Sequence, residues 1–381
     1  LPAFVDHFFP LSISHDLLNS GGNFSDWILM SAPRYFPDLL IVFVMKLLYG
    51  DIIRVYLFSG IALLSLRAVS IYFMSVMISR SHRPGIMVAT AYFALSSFHH
   101  NNLFVADIPY HSGAFSIIVL ILGLMLAGSR FPNKLRLISF SILCLGALVV
   151  ASDFLAIPFL LVGTTVTFFV ITLYHKRLPK QEMWFLYASV IISVIVGIIL
   201  YYLVTPNYFS NPLYAGNFSL TKLFVPKDVF EAIVRTLRSI FFVFKHENLF
   251  LVAFVVGVFT LFIFRADKKI FADIFFVLVF FLINALINDF LFEFGAWNSD
   301  RYRIFTFNGL ILFMAFCLGI TTNKFQWGRT VFMLVITIVL FINTKANTEP
   351  LNTKVIHKYS NASCIAESIQ ENSLRVGVTD L

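Results

Sequence analysis

Long apolar stretches follow one another along this chain, each closed by a brief polar segment, and that rhythm excludes most folds that live in water. The runs are Val55–Ser79, Gly85–Phe98, Gly113–Gly128, Lys134–Ala151, Phe154–Tyr174, Met183–Val204, Asn248–Phe264, Ile270–Ile287, Ile304–Ile320 and Arg329–Asn343. A helix needs about 20 residues to cross the hydrocarbon of a bilayer. Most of these runs reach or approach that length, and two short ones, Gly85–Phe98 and Gly113–Gly128, are expected to extend into their flanks. Hydrophobic residues make up 59% of the 381, and charged residues only 13%. A soluble domain carries about 25% charged residues, so this chain lacks the polar surface to cover a core of that size. The expected fold is all-α, a polytopic transmembrane helical bundle with about ten spans present.

The polar breaks alternate in chemistry. One set is basic: Arg80 and Arg83; Arg130, Lys134 and Arg136; Lys176, Arg177 and Lys180; Arg265, Lys268 and Lys269; Lys324 and Arg329. Basic loops mark the cytoplasmic side. The other set holds His99, His100, Asp107 and His111; Asp153; the long 205–247 loop; 288–303; and the segment after Asn343. These fall on the outer face. The net charge of +8 is spread over the short basic loops, which argues against a nucleic-acid partner and for lipid headgroups. Cys144 and Cys317 sit inside apolar runs and Cys364 in the tail, so no disulfide framework is expected.

Residues 1–343 read as the transmembrane domain and 344–381 as the start of an outer soluble tail or domain. Leu1-Pro2 opens like a loop, with no cleavable leader; a first membrane helix is expected to be missing before it. Within 1–54, the first outer loop, Leu39–Tyr49 is too short to span. It is expected to be a helix lying at the interface, started by Pro37 and Asp38 and ended by Gly50; the rival reading is a short true span, which would move Asp6 to Asp38 into the cytoplasm. In the 205–247 loop, Val229–Phe244 reads as a second amphipathic helix, whose cations would meet headgroups.

The first loop carries the densest candidate chemistry, HDLLNSGGNFSDW followed by SAPRYFPD. Ser14 is expected to cap a short helix with Asp16 in its first turn, ended by Gly21 and Gly22. Asp16, Asp26 and Asp38 are three carboxylates on separate short elements. Each is either a base toward a sugar hydroxyl, a ligand for a divalent cation, or a solvated cap. The second outer loop, FHHNNLFVADIPYHSG, lacks the His spacing of a zinc site. Asp107 and His111 suit a wall that hydrogen-bonds sugar or phosphate. Asp153, so close to apolar spans, either faces a polar cavity or caps a helix. In NDFLFEFGAWNSDRYR, Arg301 and Arg303 break the basic-inside pattern; a lipid phosphate would explain them, as would pairing with Glu293 and Asp300. Arg67 stands well inside Val55–Ser79, and nothing in the sequence explains a cation there. The sequons at Asn23, Asn217 and Asn361 are compatible with an outer location.

An acid shortly after a presumed first helix, a glycine turn and an aromatic-Pro segment entering an interfacial helix together resemble the GT-C class of membrane glycosyltransferases. The resemblance is to the branch with protein mannosyltransferases and aminoarabinose transferases. It covers about fifty residues in detail: His15-Asp16 stands where that class has Asp-Glu, Gly21-Gly22 near its Gly-Asp, and Phe36-Pro37-Asp38 near its Pro-Pro-Leu. The second acid is absent after Asp16, and Asp38 replaces an apolar residue.

The resemblance implies transfer of a hexose or pentose from a polyprenyl-phosphate donor to a lipid or glycan acceptor, on the outer face of a bacterial inner membrane. Asp16 would be catalytic, or would hold Mg or Mn, with Asp38 and Asp107 in support. His15, Asp26, His111, Asp153, Arg301 and Arg303 would bind substrate. Two other readings stay open: a multi-span transporter or lipid flippase, and a lipid-linked glycan polymerase or ligase.

Overall fold

A computed structural model of the protein describes residues 10, 11, 13–20, 35–96, 112–153, 156–165, 168, 181–204 and 304–324, with isolated positions between 227 and 279. Every regular element among the described residues is helical. The principal helices are α1 (Leu40–Leu48), α2 (Ile52–Ser79), α3 (His82–Ser96), α4 (Ser112–Arg130), α5 (Leu135–Ser152), α6 (Gln181–Val204) and α7 (Ile304–Lys324). Three stretches are long and apolar enough to cross a membrane: Arg54–Ser79, Pro132–Ser152 and Gln181–Leu203. Gly113–Gly128 is a shorter apolar helix. The expected spans at 248–264, 270–287 and 329–343, and the tail after 343, lie outside the described residues apart from isolated helical positions.

The exterior of these helices is as apolar as the interior. Leu137, Phe140, Ile195, Ile199 and Leu203 are exposed on α5 and α6, while Ile142, Val149, Val190 and Val194 of the same helices are buried in the main core. In water that outer face would be a large aggregation-prone patch; against lipid tails it carries no penalty. Between lipid-exposed helices there is little hydrophobic drive to associate, so close approach of backbones matters more. The α5–α6 contact shows this. A Cβ on Gly197 would sit 2.6 Å from Val150 Cβ and 2.8 Å from the Ala147 carbonyl, and Gly146 meets Ser193 across the same seam.

The contacts also fix helix directions. Gly123 of α4 meets Phe73 and Met74 of α2, and Arg130 donates to the Ile78 carbonyl at 3.1 Å, so α2 and α4 run parallel. Gly146 faces Ser193 and Gly197 faces Val150, so α5 and α6 run parallel. The α2–α3 connection is tight: Arg80, with φ 59°, ends α2 in the left-handed conformation typical of a helix C-terminus, and Gly85 returns against Tyr72 and Val76. A turn over Pro132–Lys134 likewise folds α5 back on α4. Gly319 against Val88 and Asn308 against Tyr92 make α7 antiparallel to α3. One end of the bundle therefore collects residues 96, 112, 152, 204 and 304, the ends that the loop alternation assigns to the outer face.

α1 has nine residues, about 13.5 Å at 1.5 Å per residue, and cannot span. Val42 packs with Leu11 and Val55, while Leu40, Val44, Leu47 and Leu48 stay exposed. Positions 230, 233 and 237 are helical, and Phe230, Ile233 and Leu237 are exposed; their spacing makes one apolar stripe.

Two expectations need correction. Ser14 does not cap a helix start: its hydroxyl donates backward to the Pro10 carbonyl at 2.7 Å, because the helical turn has already begun there. Asp16 instead opens the wider turn Asp16–Ser20. The run Phe154–Tyr174 does not begin as one smooth helix. Its described part is a short turn, Ala156–Pro158, passing into a wide turn, Phe159–Gly163, beside the proline that removes a backbone donor.

Candidate functional site

The turn Tyr35–Leu39 lies where α4 begins and α5 ends. The Phe36 N–H donates to the Ser152 hydroxyl at 2.8 Å, which ties the turn to α5. On its other side, a Cβ added to Gly113 would stand 2.5 Å from Asp38 Oδ2 and 2.7 Å from the Pro37 ring. Only glycine lets the carboxylate approach the first turn of α4 so closely. That helix start also has backbone N–H groups with no intrahelical acceptor, and it favours negative charge.

Asp153 follows Ser152 directly. It leaves the helix in an extended conformation; its N–H bonds the Val149 carbonyl at 2.8 Å, and its own carbonyl accepts from Ala156 at 2.9 Å. Asp38 is 2% exposed and Asp153 1% exposed. Two expected site acids, far apart in sequence, are thus both buried at the same end of the bundle, joined through the Phe36–Ser152 hydrogen bond.

One turn deeper, the helices carry more buried polar groups. Tyr92 donates to Asn308 Oδ1 at 2.5 Å, and Ser116 and Arg67 are buried as well. Sequence reasoning left Arg67 without an account and passed over Tyr92 and Asn308. The helical spacing of Ser59, Leu63, Arg67, Ile71 and Met74, all buried, is the signal that turns Arg67 inward.

His15 and Asp16 lie on the turn that packs against the Tyr35–Leu39 turn. Ile13 and Leu39 make a small cluster with Leu17 and Tyr35 packed on it. Burial lowers the His15 pKa, the charge of Lys46 lowers it further, and Asp16 opposes both. Lys46 also donates to the Gly50 carbonyl at 2.9 Å, closing α1. Among the described residues no three His, Cys, Asp or Glu side chains gather to hold a metal ion. Asp26, Asp107, His111, Arg301 and Arg303 lie outside the described residues.

These features define a class: a helical protein whose long apolar helices point to a membrane, with buried acids at one end of the bundle. No protein-family model, no curated protein and no solved structure matches the chain.

Proposed function

We propose that this chain is an integral-membrane glycosyltransferase that moves a sugar from a polyprenyl-phosphate donor to an acceptor on the outer face of a cell membrane. The observation that carries the reading is the burial of both Asp38 and Asp153 at the end of the bundle that the loop alternation assigns to the outer face. A carboxylate at this place can serve as the base toward an acceptor hydroxyl. In the reaction, a carboxylate takes the proton of the acceptor hydroxyl, the hydroxyl oxygen bonds to the anomeric carbon, and the carbon–phosphate oxygen bond breaks. Polyprenyl phosphate leaves with the bonding electrons, and Arg301 and Arg303 are the proposed cations for its charge. Asp16, Asp38 and Asp107 are the proposed acids of the site, with Asp38 the best supported by burial. His15, Asp26, His111 and Asp153 complete the proposed substrate contacts. No step is routed through a metal ion.

The test is transfer of label from a panel of polyprenyl-phosphate hexoses and pentoses by the purified full chain in liposomes. Asp38→Asn and Asp153→Asn, folded and inserted, are expected to lose at least a hundredfold in turnover. Undiminished transfer by both variants would sink the reading, as would absence of transfer from every donor by the unaltered protein.

A second reading, a transporter or lipid flippase, draws on Arg67, since buried charges inside membrane helices often line a transport path. Movement of a lipid or solute across the same liposomes without a sugar donor would favour it.

A further inference from the structure

Arg67 stands close in depth to the turn that carries Asp38. On α2, Met74 lies on the same inward stripe as Arg67 and meets Gly123 of α4. Going back from Gly123 to Gly113 covers ten residues, about 15 Å; going back from Met74 to Arg67 covers seven, about 10.5 Å. Because α2 and α4 run parallel, the Arg67 backbone lies about one turn short of Gly113, against which Asp38 rests. Side chains lean toward the N-terminus of their helix, which on α2 is the direction of Asp38.

The other helices agree. On α3, seven residues beyond the contact of Gly85 with Tyr72 and Val76 bring Tyr92 level with Arg67. On α5, six residues beyond Gly146, which faces Ile121 of α4, bring Ser152 level with the start of α4. At this level α3 contributes Tyr92, α4 Ser116, α5 Ser152 and α7 Asn308, all buried. On the described helices at this end, the other acidic and basic side chains are His15, Asp16, Lys46, Asp51 and Arg54, with the phenols of Tyr35, Tyr49, Tyr56, Tyr201 and Tyr202. The acidic and basic ones belong to the segment around α1 and the first turn of α2.

We infer that Arg67 is the shared counter-ion of Asp38 and Asp153, a positioning residue that holds both carboxylates ionised at the end of the bundle. Two acids at 2% and 1% exposure would otherwise tend to take up protons. A guanidinium, always charged and forked, can serve two carboxylates at once. One positive against two negative charges leaves the group anionic, and so able to accept a proton. The inference goes beyond the transferase reading, because it concerns ionisation and holds whichever reaction this end performs.

The test is infrared spectroscopy of the full chain in lipid nanodiscs at neutral pH, reading the carbonyl band of a protonated carboxyl group. Arg67→Gln is expected to raise that band, Arg67→Lys to leave it absent, and adding Asp38→Asn or Asp153→Asn to Arg67→Gln to remove or halve it. Should Arg67→Gln fail to accumulate folded, neutralising either acid in the same chain is expected to restore folded yield. The inference is overturned if folded Arg67→Gln shows no new band, or if neither acid substitution rescues its folding. Sugar transfer is not read in any arm, so failure here and failure of the transferase reading are separate results.

Discussion

The backbone N–H of Phe36 donates to the hydroxyl of Ser152 at 2.8 Å across 116 positions of sequence. Through this bond the first segment of the chain reaches the end of α5, and Asp38 and Asp153 come to the same place. Ser152 is fully buried, so a lost partner there is not replaced easily by water. Ser152→Ala is expected to cost about 0.5–1.5 kcal/mol, the net worth of one hydrogen bond to a half-buried backbone donor. Thermal unfolding of the purified protein in detergent, followed by intrinsic fluorescence, checks the shift; an unchanged midpoint would show that the turn is held by other contacts.

Gly113 allows Asp38 to rest on α4. Gly113→Ala places a methyl group 2.5 Å from the carboxylate oxygen, so the turn must move. Overpacking of this kind costs about 1–3 kcal/mol. We expect lowered stability together with a loss of transfer activity, whereas Gly50→Ala, where no atom lies within 4 Å, is expected to leave both unchanged.

His15 should make stability fall in mild acid. Its folded pKa lies below the ordinary value near 6.5 because of burial and then Lys46. At high pH the imidazole is neutral in both states and contributes nothing to the difference. As pH drops through about 6.5 the unfolded chain takes up a proton first, so stability declines and levels off only below the folded value. His15→Gln is expected to flatten this part of a melting-temperature against pH curve. Lys46→Gln should reduce the slope and Asp16→Asn should steepen it, and the opposite order would contradict the assigned causes.

Tyr92 and Asn308 form the buried hydrogen bond that joins α3 to α7. Tyr92→Phe leaves the amide short of a partner at a cost of about 1–3 kcal/mol. The double substitution Tyr92→Phe with Asn308→Leu removes both polar groups and is expected to recover part of the loss. Additive losses in this cycle of denaturation measurements would show that the two groups do not act as a unit.

Local pattern carried the helical fold a long way. The boundaries of α2, α5 and α6 follow from where apolar residues stop, and the length of α1 follows from Pro37 and Gly50. The Ser14 expectation failed because a serine near a helix start looks the same whether it bonds forward as a cap or backward within a turn already formed. The wide turn at Phe159–Gly163 was not legible because the stretch around it is apolar, and only the backbone shows that Pro158 and its neighbours leave the regular spacing. At the site, Asp38 and Asp153 were legible as acids near spans, but the hydrogen bond between Phe36 and Ser152 that ties their segments together was not. That tie depends on the register of α4 against α5, and on glycine contacts that no single segment encodes. Arg67 was visible and unexplained for the same reason, since its surroundings come from other helices.

Residues 36–38 touch two helices that run in opposite directions, gripping Ser152 on one and resting on Gly113 of the other. A slide of one rod past its neighbour by a single residue would displace these footholds by about 1.5 Å, enough to break the grip. The gap between the two acids is therefore mechanically coupled to axial slip in the bundle, and bilayer thickness becomes a physical lever on whatever chemistry happens there.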